Sequence, residues 1–419
     1  MNTPTPTPPA QPAPTTPDAS HHTPPRFALI GVGRAGIAAL ENVLQSGFGR
    51  SESLAVGAAA YSLAQSTAAV KISLPRAAHE QLATSPELEL SAFHADLAEA
   101  TRAVCAEKEF VLIFTGLGGV TGTRLAPWLV TAVKAAGARA IVLATTPFDA
   151  EGRNRRQRAE AGWQALAARA DGLLCLPGQR TTKLLPAGAS VRESFIATAA
   201  PLAEAARGLI RVLTLPASIP IHAQEICAVL RGRSCLAFAT AEASGAERAR
   251  QLAERLLTHP LLTGAGGSVR TTAVVLSVTG WPEASHDELH HLNQRIESGW
   301  DRAEAHVGVA ADESAGGTLR ALLILSSAAG TDAGGEETTS AADIVAEVKA
   351  PAAPSSPSTL VSSPSQHVRR PASPAAKQEQ LALEMVSRGR FEKSPPTIHK
   401  GEDLDVPTYI RRNITLTQN

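Results

Sequence analysis

Aromatic residues are scarce in this sequence of 419 residues, where they make up 4% against 44% hydrophobic residues. A core built from this chain must therefore be mostly aliphatic. Net charge is missing as well, because 39 basic and 39 acidic residues cancel. A protein that binds nucleic acid or a membrane surface along its whole length needs a large positive field. We therefore expect no nucleic-acid partner.

Cysteines are also few, and they form no Cys-x-x-Cys pair: Cys105, Cys175, Cys227 and Cys235. We interpret them as small buried hydrophobic residues in a reducing compartment. No uncharged apolar run approaches the ~20 residues needed to cross a bilayer. The Pro/Thr-rich N-terminus lacks the basic start and apolar stretch of a signal peptide. These absences predict a cytoplasmic protein that does not insert into a membrane.

Prolines cluster at the ends of the chain, which is long enough for two folded domains plus extensions. Between the ends, apolar strand-like runs alternate with helix-like stretches from Phe27 onward. This order is typical of βαβ units and predicts a largely parallel sheet. Residues Ser190–Leu213 resemble a long helix that Pro201 should kink. A second, smaller α/β set follows up to about residue 328, where Ala, Ser, Pro, Gly and Thr take over.

The first candidate site is a glycine loop, Gly31-Val32-Gly33-Arg34-Ala35-Gly36, which follows a strand and opens a helix. Its G-x-G-x-x-G pattern lets backbone N–H groups approach a pyrophosphate. A nicotinamide-dependent enzyme would also place a carboxylate after the second strand to hold the ribose. That strand ends in Ala58-Ala59-Ala60-Tyr61 and offers none.

A second glycine loop, Thr115 to Thr123, again lies between a strand and a helix. Two such loops at neighbouring strand ends are able to wrap a di- or triphosphate from two sides. After the next strand, Glu151 is placed to accept from ribose hydroxyls, and Arg155, one turn later, presents a fork of donors. An ordinary solvated basic helix face stays open as an alternative for this third segment.

Together the three segments resemble the bacterial tubulin homologue FtsZ. GVGRAG is similar to the first glycine loop of that family, GGVTGTR to its signature GGGTGTG, and PFDAEGRNR to its PFxFEGxxR. Near the C-terminus, LDVPTYIRR resembles the family's peptide that docks membrane-tethering partners. The resemblance covers about residues 27–328 and 400–412.

The resemblance implies GTP or GDP as ligand, with Mg²⁺ accompanying the nucleotide, and head-to-tail filaments at the midcell division site. The fold it implies is a parallel-sheet nucleotide-binding domain joined by a long central helix to a smaller α/β domain. The residues it assigns to the nucleotide are Gly31, Gly33, Arg34, Ala35, Gly36, Gly118, Gly119, Val120, Thr121, Gly122, Thr123, Glu151 and Arg155. The implied organisation is a disordered N-terminus (1–25), a GTP-binding domain (26–189), a central helix (190–214), a C-terminal α/β domain (215–328), a flexible linker (329–398) and a partner-binding peptide (399–419).

The sequence departs from the family where the chemistry lies. Val120 and Arg124 replace glycines of the signature loop, and Ala199 and Ala200 stand where the family reads the guanine edge with an Asn/Asp pair. In the loop that the family inserts into the neighbouring subunit's site, Glu225 falls at one carboxylate position and His222 at the other. These substitutions predict slow hydrolysis, with Glu225 and His222 as the catalytic candidates. Both residues as ordinary exposed loop residues remain an alternative.

The C-terminal peptide is expected to fold on binding, since its apolar residues form one edge and its arginines favour an acidic rim. The residues assigned to partner binding are Leu404, Asp405, Val406, Pro407, Tyr409, Ile410 and Arg411.

Two other functions stay open: a nucleotide-independent scaffold with the same fold, and, remotely, an enzyme that uses a nicotinamide cofactor. No metal site is expected. His286 and His290 have zinc-like spacing, but Asp287 stands where the metalloprotease pattern needs Glu, and Ser285 with Glu288 is spaced as a capping box.

Overall fold

A computed structural model describes residues 24–84, 92–186, 188–231, 233–262, 271–281, 283–300, 303–328, 398–399 and 402–403. The predicted disordered N-terminus (1–25) and linker (329–398) fall almost wholly outside these residues. The chain divides into two compact units, Met1–Ala352 and Ala353–Asn419. In the second unit, two-residue strands at 398–399 and 402–403 pair antiparallel.

A six-stranded, all-parallel sheet forms the first half of the large unit. Its strands are β1 (Phe27–Val32), β2 (Ser53–Gly57), β3 (Val70–Ser73), β4 (Phe110–Gly116), β5 (Arg139–Thr146) and β6 (Gly172–Pro177). They are arranged in the order β3-β2-β1-β4-β5-β6. Five of these strands, β1, β2, β4, β5 and β6, coincide with the predicted apolar runs. Because these strands are buried on both faces, their sequences are continuous hydrophobic stretches.

Helices cover both faces of this sheet. They are α1 (Gly33–Leu44), α2 (Ala60–Gln65), α3 (Arg76–Thr84), α4 (Ala92–Cys105), α5 (Val120–Ala135), α6 (Arg153–Ala167) and the short α7 (Gly178–Thr181). The apolar sides of α4, α5 and α6 pack on one face, in a cluster that includes Leu97, Leu129 and Leu166. Helix α1 covers the other face.

The predicted long helix is present as two helices, α8 (Val191–Ala197) and α9 (Ala199–Thr214). Pro201 explains the break, because it has no N–H to continue α8 and it fits in the first turn of a new helix. Helix α9 is apolar on two sides and packs against α1 and against the second sheet. Arg207 fixes it to the first domain by donating to the Asn42 carbonyl oxygen at 2.7 Å.

The second sheet has five strands in the order β7-β10-β9-β11-β8. Their bounds are β7 (Ala217–Ile219), β8 (Arg233–Ser244), β9 (Ala273–Gly280), β10 (Glu304–Ala311) and β11 (Thr318–Ala328). The accompanying helices are α10 (Ala223–Leu230), α11 (Arg248–Leu257) and α12 (His286–Glu297). Strands β9 and β10 are parallel, whereas β7, β8 and β11 pair antiparallel.

The start of α12 confirms the predicted capping box. The Ser285 hydroxyl accepts from the Glu288 amide at 3.2 Å, and the Glu288 carboxylate accepts from the Ser285 amide at 2.9 Å. Glu288 also pairs with Arg248 at 2.7 Å, which lowers the pKa of its carboxyl group. The zinc-like spacing of this segment is therefore explained by a helix start.

Three of the four cysteines have described side chains, and all three are buried and form no disulfide: Cys105, Cys175 and Cys227. Burial raises the pKa of the Cys105 thiol to about 11 and that of Cys227 to about 12. In the described part of the chain, no helix combines the length and the apolar character that a membrane span needs.

Candidate functional site

The first glycine loop joins β1 to α1 and lies directly against the second loop. Gly33 has a φ of +69°, and a Cβ on it would lie 3.4 Å from the amide nitrogen of Gly122. Gly36 faces the sheet, where a Cβ would lie 2.2 Å from the Phe114 carbonyl oxygen. Any larger residue at 36 would push α1 away from β4. The fold itself therefore requires glycine at both positions.

The remaining residues of this loop differ in their surroundings. Gly31 is enclosed, since its Cβ would lie 3.0 Å from that of Leu40. Ala35 lies against the second loop: a Cβ on Gly116 would be 2.7 Å from the Ala35 Cβ. Arg34, by contrast, is exposed in the first turn of α1. The loop thus packs on its neighbours through small residues and presents one cation to solvent.

Hydrogen bonds from both sides shape the second glycine loop. The Gly118 amide donates to the Thr123 hydroxyl at 2.9 Å, and the Gly118 carbonyl oxygen accepts from Arg158 at 2.9 Å. Gly118 has a φ of +89°, and its Cβ would lie 2.5 Å from Pro147 Cγ in the third segment. The three predicted segments are therefore neighbours at one edge of the sheet, as expected for the carboxyl ends of parallel strands.

Helix α5 begins at this loop with its first N–H groups uncapped. Its N-cap residue, Gly119, has no side chain to cap them, and the first turn contains no acidic residue. Gly119 has an ordinary φ of −79°, and its Cβ position has nothing within 4 Å. Neither backbone conformation nor packing therefore requires a glycine at this position. Such a turn is suited to an anion that approaches the backbone closely.

Side chains around this turn are largely buried. Thr121 and Thr123 are both buried. Val120 packs against the apolar cluster that lies between the first sheet and helices α4, α5 and α6. Val120 therefore points its bulk into the core, although its backbone lies at the loop. Behind the turn, the buried Thr115 hydroxyl has no hydrogen-bond partner in the described structure, and the Gly122 Cβ position is 2.7 Å from it. A buried hydroxyl without a partner is unusual and marks a polar site.

In the third segment, Glu151 is already engaged within the chain. Its carboxylate accepts from the Phe148 amide at 2.9 Å and pairs with Arg155. The two predicted residues are thus brought together, in a pair that shapes the turn before α6. Phe148 in turn makes an edge-to-face contact with Phe195 of α8, with ring centroids 5.2 Å apart.

The positions that correspond to the family's Asn/Asp pair lie at the start of α9. Ala199 is buried and Ala200 is exposed. Neither side chain has a hydrogen-bonding group, so this part of the site offers no polar side chain to a base edge. That base recognition is weakened here stays a prediction.

The two catalytic candidates lie elsewhere. His222 is the N-cap residue of α10 and Glu225 lies in its first turn; both are exposed. The neighbouring Gln224 accepts from Arg139 at 3.3 Å, and Arg139 is the first residue of β5. The glycine loops follow the opposite, carboxyl ends of the strands. The eight residues of β5 span about 26 Å, so one copy of the chain does not bring Glu225 to its own glycine loops.

The predicted partner-binding residues lie outside the described residues: Leu404, Asp405, Val406, Pro407, Tyr409, Ile410 and Arg411.

Comparison with known proteins matches the same part of the chain in which the three segments lie. The family model described as "Tubulin/FtsZ family, GTPase domain" matches residues 26–186, which contain all three segments. Over these residues the chain is similar to the GTPase domain of the tubulin/FtsZ family.

Proteins similar to this chain include "Cell division protein FtsZ 2" of Rhizobium meliloti (strain 1021). It is 27% identical over 304 residues, which cover 72% of this chain and 87% of the relative. Among solved structures, "FtsZ dimer, empty" from M. jannaschii has a TM-score of 0.59 at 23% identity and covers 73% of this chain and 89% of its own. "CetZ2 from Haloferax volcanii - GTPgS bound protofilament" has a TM-score of 0.54 at 21% identity and covers 72% and 92%. The FtsZ-like fold is thereby confirmed.

Three features of the candidate site were missed by sequence reasoning. Arg158 supports the second loop, Phe195 packs on the third segment, and the Thr115 hydroxyl lies behind the first turn of α5. Thr115 had a usable signal, since it directly precedes the glycines of the second loop. The contacts of Arg158 and Phe195 depend on how separate elements pack, and no local pattern reveals them.

Proposed function

We propose that this chain is a GTP-binding cytoskeletal protein whose copies assemble head to tail into filaments and slowly hydrolyse GTP where two copies meet. One observation carries the proposal: the glycine loops lie at the carboxyl ends of the first sheet's strands, and the exposed His222/Glu225 turn lies near the amino end of β5 in that sheet. A second copy, stacked in the same orientation, is able to present its Glu225 to the glycine loops of the first. Such a contact is heterologous and does not close, so it propagates into a filament.

The surface next to this turn favours such a contact. Strand β7 lies at the edge of the second sheet and is exposed throughout, and among the described strands it pairs with β10 alone. Ile219 on β7 and Trp281 at the end of β9 are large apolar residues with 39% and 45% of their surface exposed. The Ser218 hydroxyl donates to Glu283 at 2.6 Å, which joins the two segments. Exposed apolar residues beside an unpaired edge are typical of protein contacts.

The glycine loops, at the carboxyl ends of the strands of the first sheet, are suited to a polyphosphate. Gly119 leaves room for close approach, and the first N–H groups of α5 are uncapped. Bound GTP would supply the bond that is hydrolysed, and Mg²⁺ would arrive with its phosphates. Within the described residues, no three His, Cys, Asp or Glu side chains are grouped as a metal site.

Each group of residues in the chain would then have its own role. The glycine loops hold the phosphates, and Glu151 and Arg155 border the ribose side. Glu225 of the next copy orients water and accepts its proton, with His222 as the second polar group. Ala199 and Ala200 offer nothing to the base edge, so discrimination of guanine from adenine should be weaker than a charged hydrogen bond would give, about 1.5–3 kcal/mol.

The remaining assignments are part of the same proposal. We place the GTP-binding domain at 26–189, the central helix region at 190–214, the second domain at 215–328 and a linker at 329–398. Residues 399–419 would bind membrane-tethering division proteins at midcell in the cytoplasm. These assignments derive from the family resemblance of the sequence.

Hydrolysis measured against protein concentration tests the proposal. A site completed by a second copy gives negligible turnover at low concentration and a steep rise once filaments sediment. Turnover proportional to concentration over the whole range would show a site complete in one copy and would refute the head-to-tail arrangement. Filaments that form equally without nucleotide would support the nucleotide-independent scaffold instead.

A further inference from the structure

The amino end of β5 holds a guanidinium group that is not paired with a carboxylate of the described residues. Arg139, the first residue of β5, is half-buried, and its Nη2 donates to the Gln224 side-chain oxygen at 3.3 Å. Gln224 is the one side-chain partner of Arg139 in the described part of the chain, and its amide is neutral. Gln224 and Glu225 are consecutive residues in the first turn of α10. The guanidinium therefore lies beside the carboxylate that is proposed to enter the next copy's nucleotide site.

A buried carboxylate at the same edge of the sheet is already shared by other groups. Asp171 accepts from the Ala140 amide at 3.0 Å and from Arg231 at 2.7 Å, and it lies 3.3 Å from the Lys134 ammonium group. Two cations thus share one anion, and Arg139 adds a further positive charge next to them. This edge therefore presents an excess of positive charge beside the first turn of α10.

That charge is relevant to what Glu225 would meet in a filament. Glu225 is the acidic residue of the first turn of α10, and a triphosphate in the next copy's site is strongly negative. Like charges that approach closely where water is excluded repel one another. A guanidinium group that enters with the carboxylate offsets this repulsion, and its fork of N–H donors suits phosphate oxygens.

Resting on the proposed function, we propose that Arg139 is a further catalytic residue, which each copy inserts together with Glu225 into the next copy's nucleotide site to bind the γ-phosphate of GTP. During hydrolysis the water oxygen bonds to the γ-phosphorus, and the bond between that phosphorus and the β,γ-bridging oxygen breaks, which leaves GDP and inorganic phosphate. The water proton passes to Glu225 and then to solvent. Arg139 stabilises the negative charge on the phosphate oxygens, as an arginine supplied by a second protein does in other GTPases.

Turnover per sedimented chain of the full-length protein tests this, together with GTP affinity measured at a concentration too low for assembly. Arg139→Gln should lower turnover about 10²–10³-fold, the typical loss for one preorganised hydrogen-bond donor. The GTP affinity of the unassembled protein should not change, because Arg139 is distant from the glycine loops of its own chain. Arg139→Lys keeps the charge and loses the fork, so it should retain more turnover than Arg139→Gln.

Arg169→Gln provides the matched control. Arg169 is exposed near the same edge of the sheet, and its guanidinium donates to the Ala165 carbonyl oxygen at 3.0 Å, so its loss should leave turnover unchanged. Gln224→Ala distinguishes a direct role from a positioning role, because it removes the partner of Arg139 and keeps the charge. Equal losses of turnover in Gln224→Ala and Arg139→Gln would show that Arg139 acts by placing the turn, and would overturn the inference.

Mixed filaments give a second measurement if Arg139→Gln alone does not sediment. In a pellet with equal amounts of the variant and the wild type, turnover should fall to about half, because half of the contacts lack the guanidinium group. A full rate per sedimented chain, or exclusion of the variant from wild-type filaments, would overturn the catalytic role and leave the shared site intact. Wild-type turnover that shows no steep rise with protein concentration would instead refute the head-to-tail site, and the inference with it.

Discussion

At the carboxyl end of the first sheet almost every loop glycine is enclosed, whereas the first turn of α10 in the second domain is open. A Cβ on Gly31, Gly36, Gly116, Gly118 or Gly122 would come within 3.0 Å of a neighbouring atom. His222, Gln224 and Glu225 are all exposed. The enclosed glycines are explained by packing and say little about a ligand. Gly119, which packing does not require, and the exposed turn are the more informative positions.

Glu225→Gln gives the largest contrast between stability and activity. Because Glu225 is exposed, its loss should leave the thermal midpoint and GTP affinity unchanged. Hydrolysis should fall by about 10²–10⁴-fold, the typical contribution of a positioned general base. Turnover and calorimetry on the same preparation check both halves. Gln224→Ala is the neighbouring control and should retain turnover; a near wild-type rate for Glu225→Gln would remove this residue from the chemistry.

Gly119→Asp should separate binding from folding at the loop end. Asp is a favoured N-cap residue, and open space surrounds the Cβ position, so stability should hold or rise. Its carboxylate would face the phosphates, and at a few ångströms this repulsion should weaken GTP binding on the order of 10²–10³-fold. Dialysis and thermal unfolding measure the two effects. Gly119→Asn has the same shape without the charge; an equal loss in both variants would point to steric exclusion in place of charge.

Gly36→Ala should lower the free energy of unfolding. Its methyl group would lie 2.2 Å from the Phe114 carbonyl oxygen, and such overpacking typically costs about 1–3 kcal/mol of unfolding free energy. Urea denaturation checks this, with Ala38→Ser as the control because Ala38 is exposed on the same helix. If Gly36→Ala were as stable as Ala38→Ser, the close packing of α1 on β4 would be wrong.

Phe195→Ala should have the smallest effect. It removes the edge-to-face partner of Phe148, an arrangement worth about 0.5–1.5 kcal/mol. Ile196→Ala, at a neighbouring residue with 63% of its surface exposed, should leave the unfolding midpoint unchanged. A loss no greater for Phe195→Ala than for Ile196→Ala would argue that α8 does not hold the third segment.

The sequence predicted the central strands well, because strands buried on both faces consist of continuous apolar residues. Short or exposed strands were missed: β3 alternates in burial over four residues, and β7 is exposed throughout. The two glycine loops were predicted to lie between strands and helices, yet the first turns of α1 (from Gly33) and α5 (from Val120) lie within those loops. Glycine has low helix propensity, so it concealed the first turn in both cases.

The catalytic segment shows what a local pattern leaves undetermined. It was interpreted as a loop, and the structure places Glu225 in the first turn of α10, whose buried face includes Ile226, Val229 and Leu230. That helical spacing was present in the sequence. The position of the turn, at the amino end of β5 and away from the glycine loops, depends on topology and was inferable only through the family resemblance.

Mixing two inactive variants tests the central claim most directly. Glu225→Gln keeps its nucleotide site, and Gly119→Asp keeps its Glu225. If the site is completed by a second copy, an equimolar mixture should recover up to about one quarter of the wild-type rate, the share of head-to-tail contacts that join an intact site to an intact Glu225. A mixture no more active than the sum of its parts would contradict an active site shared between copies.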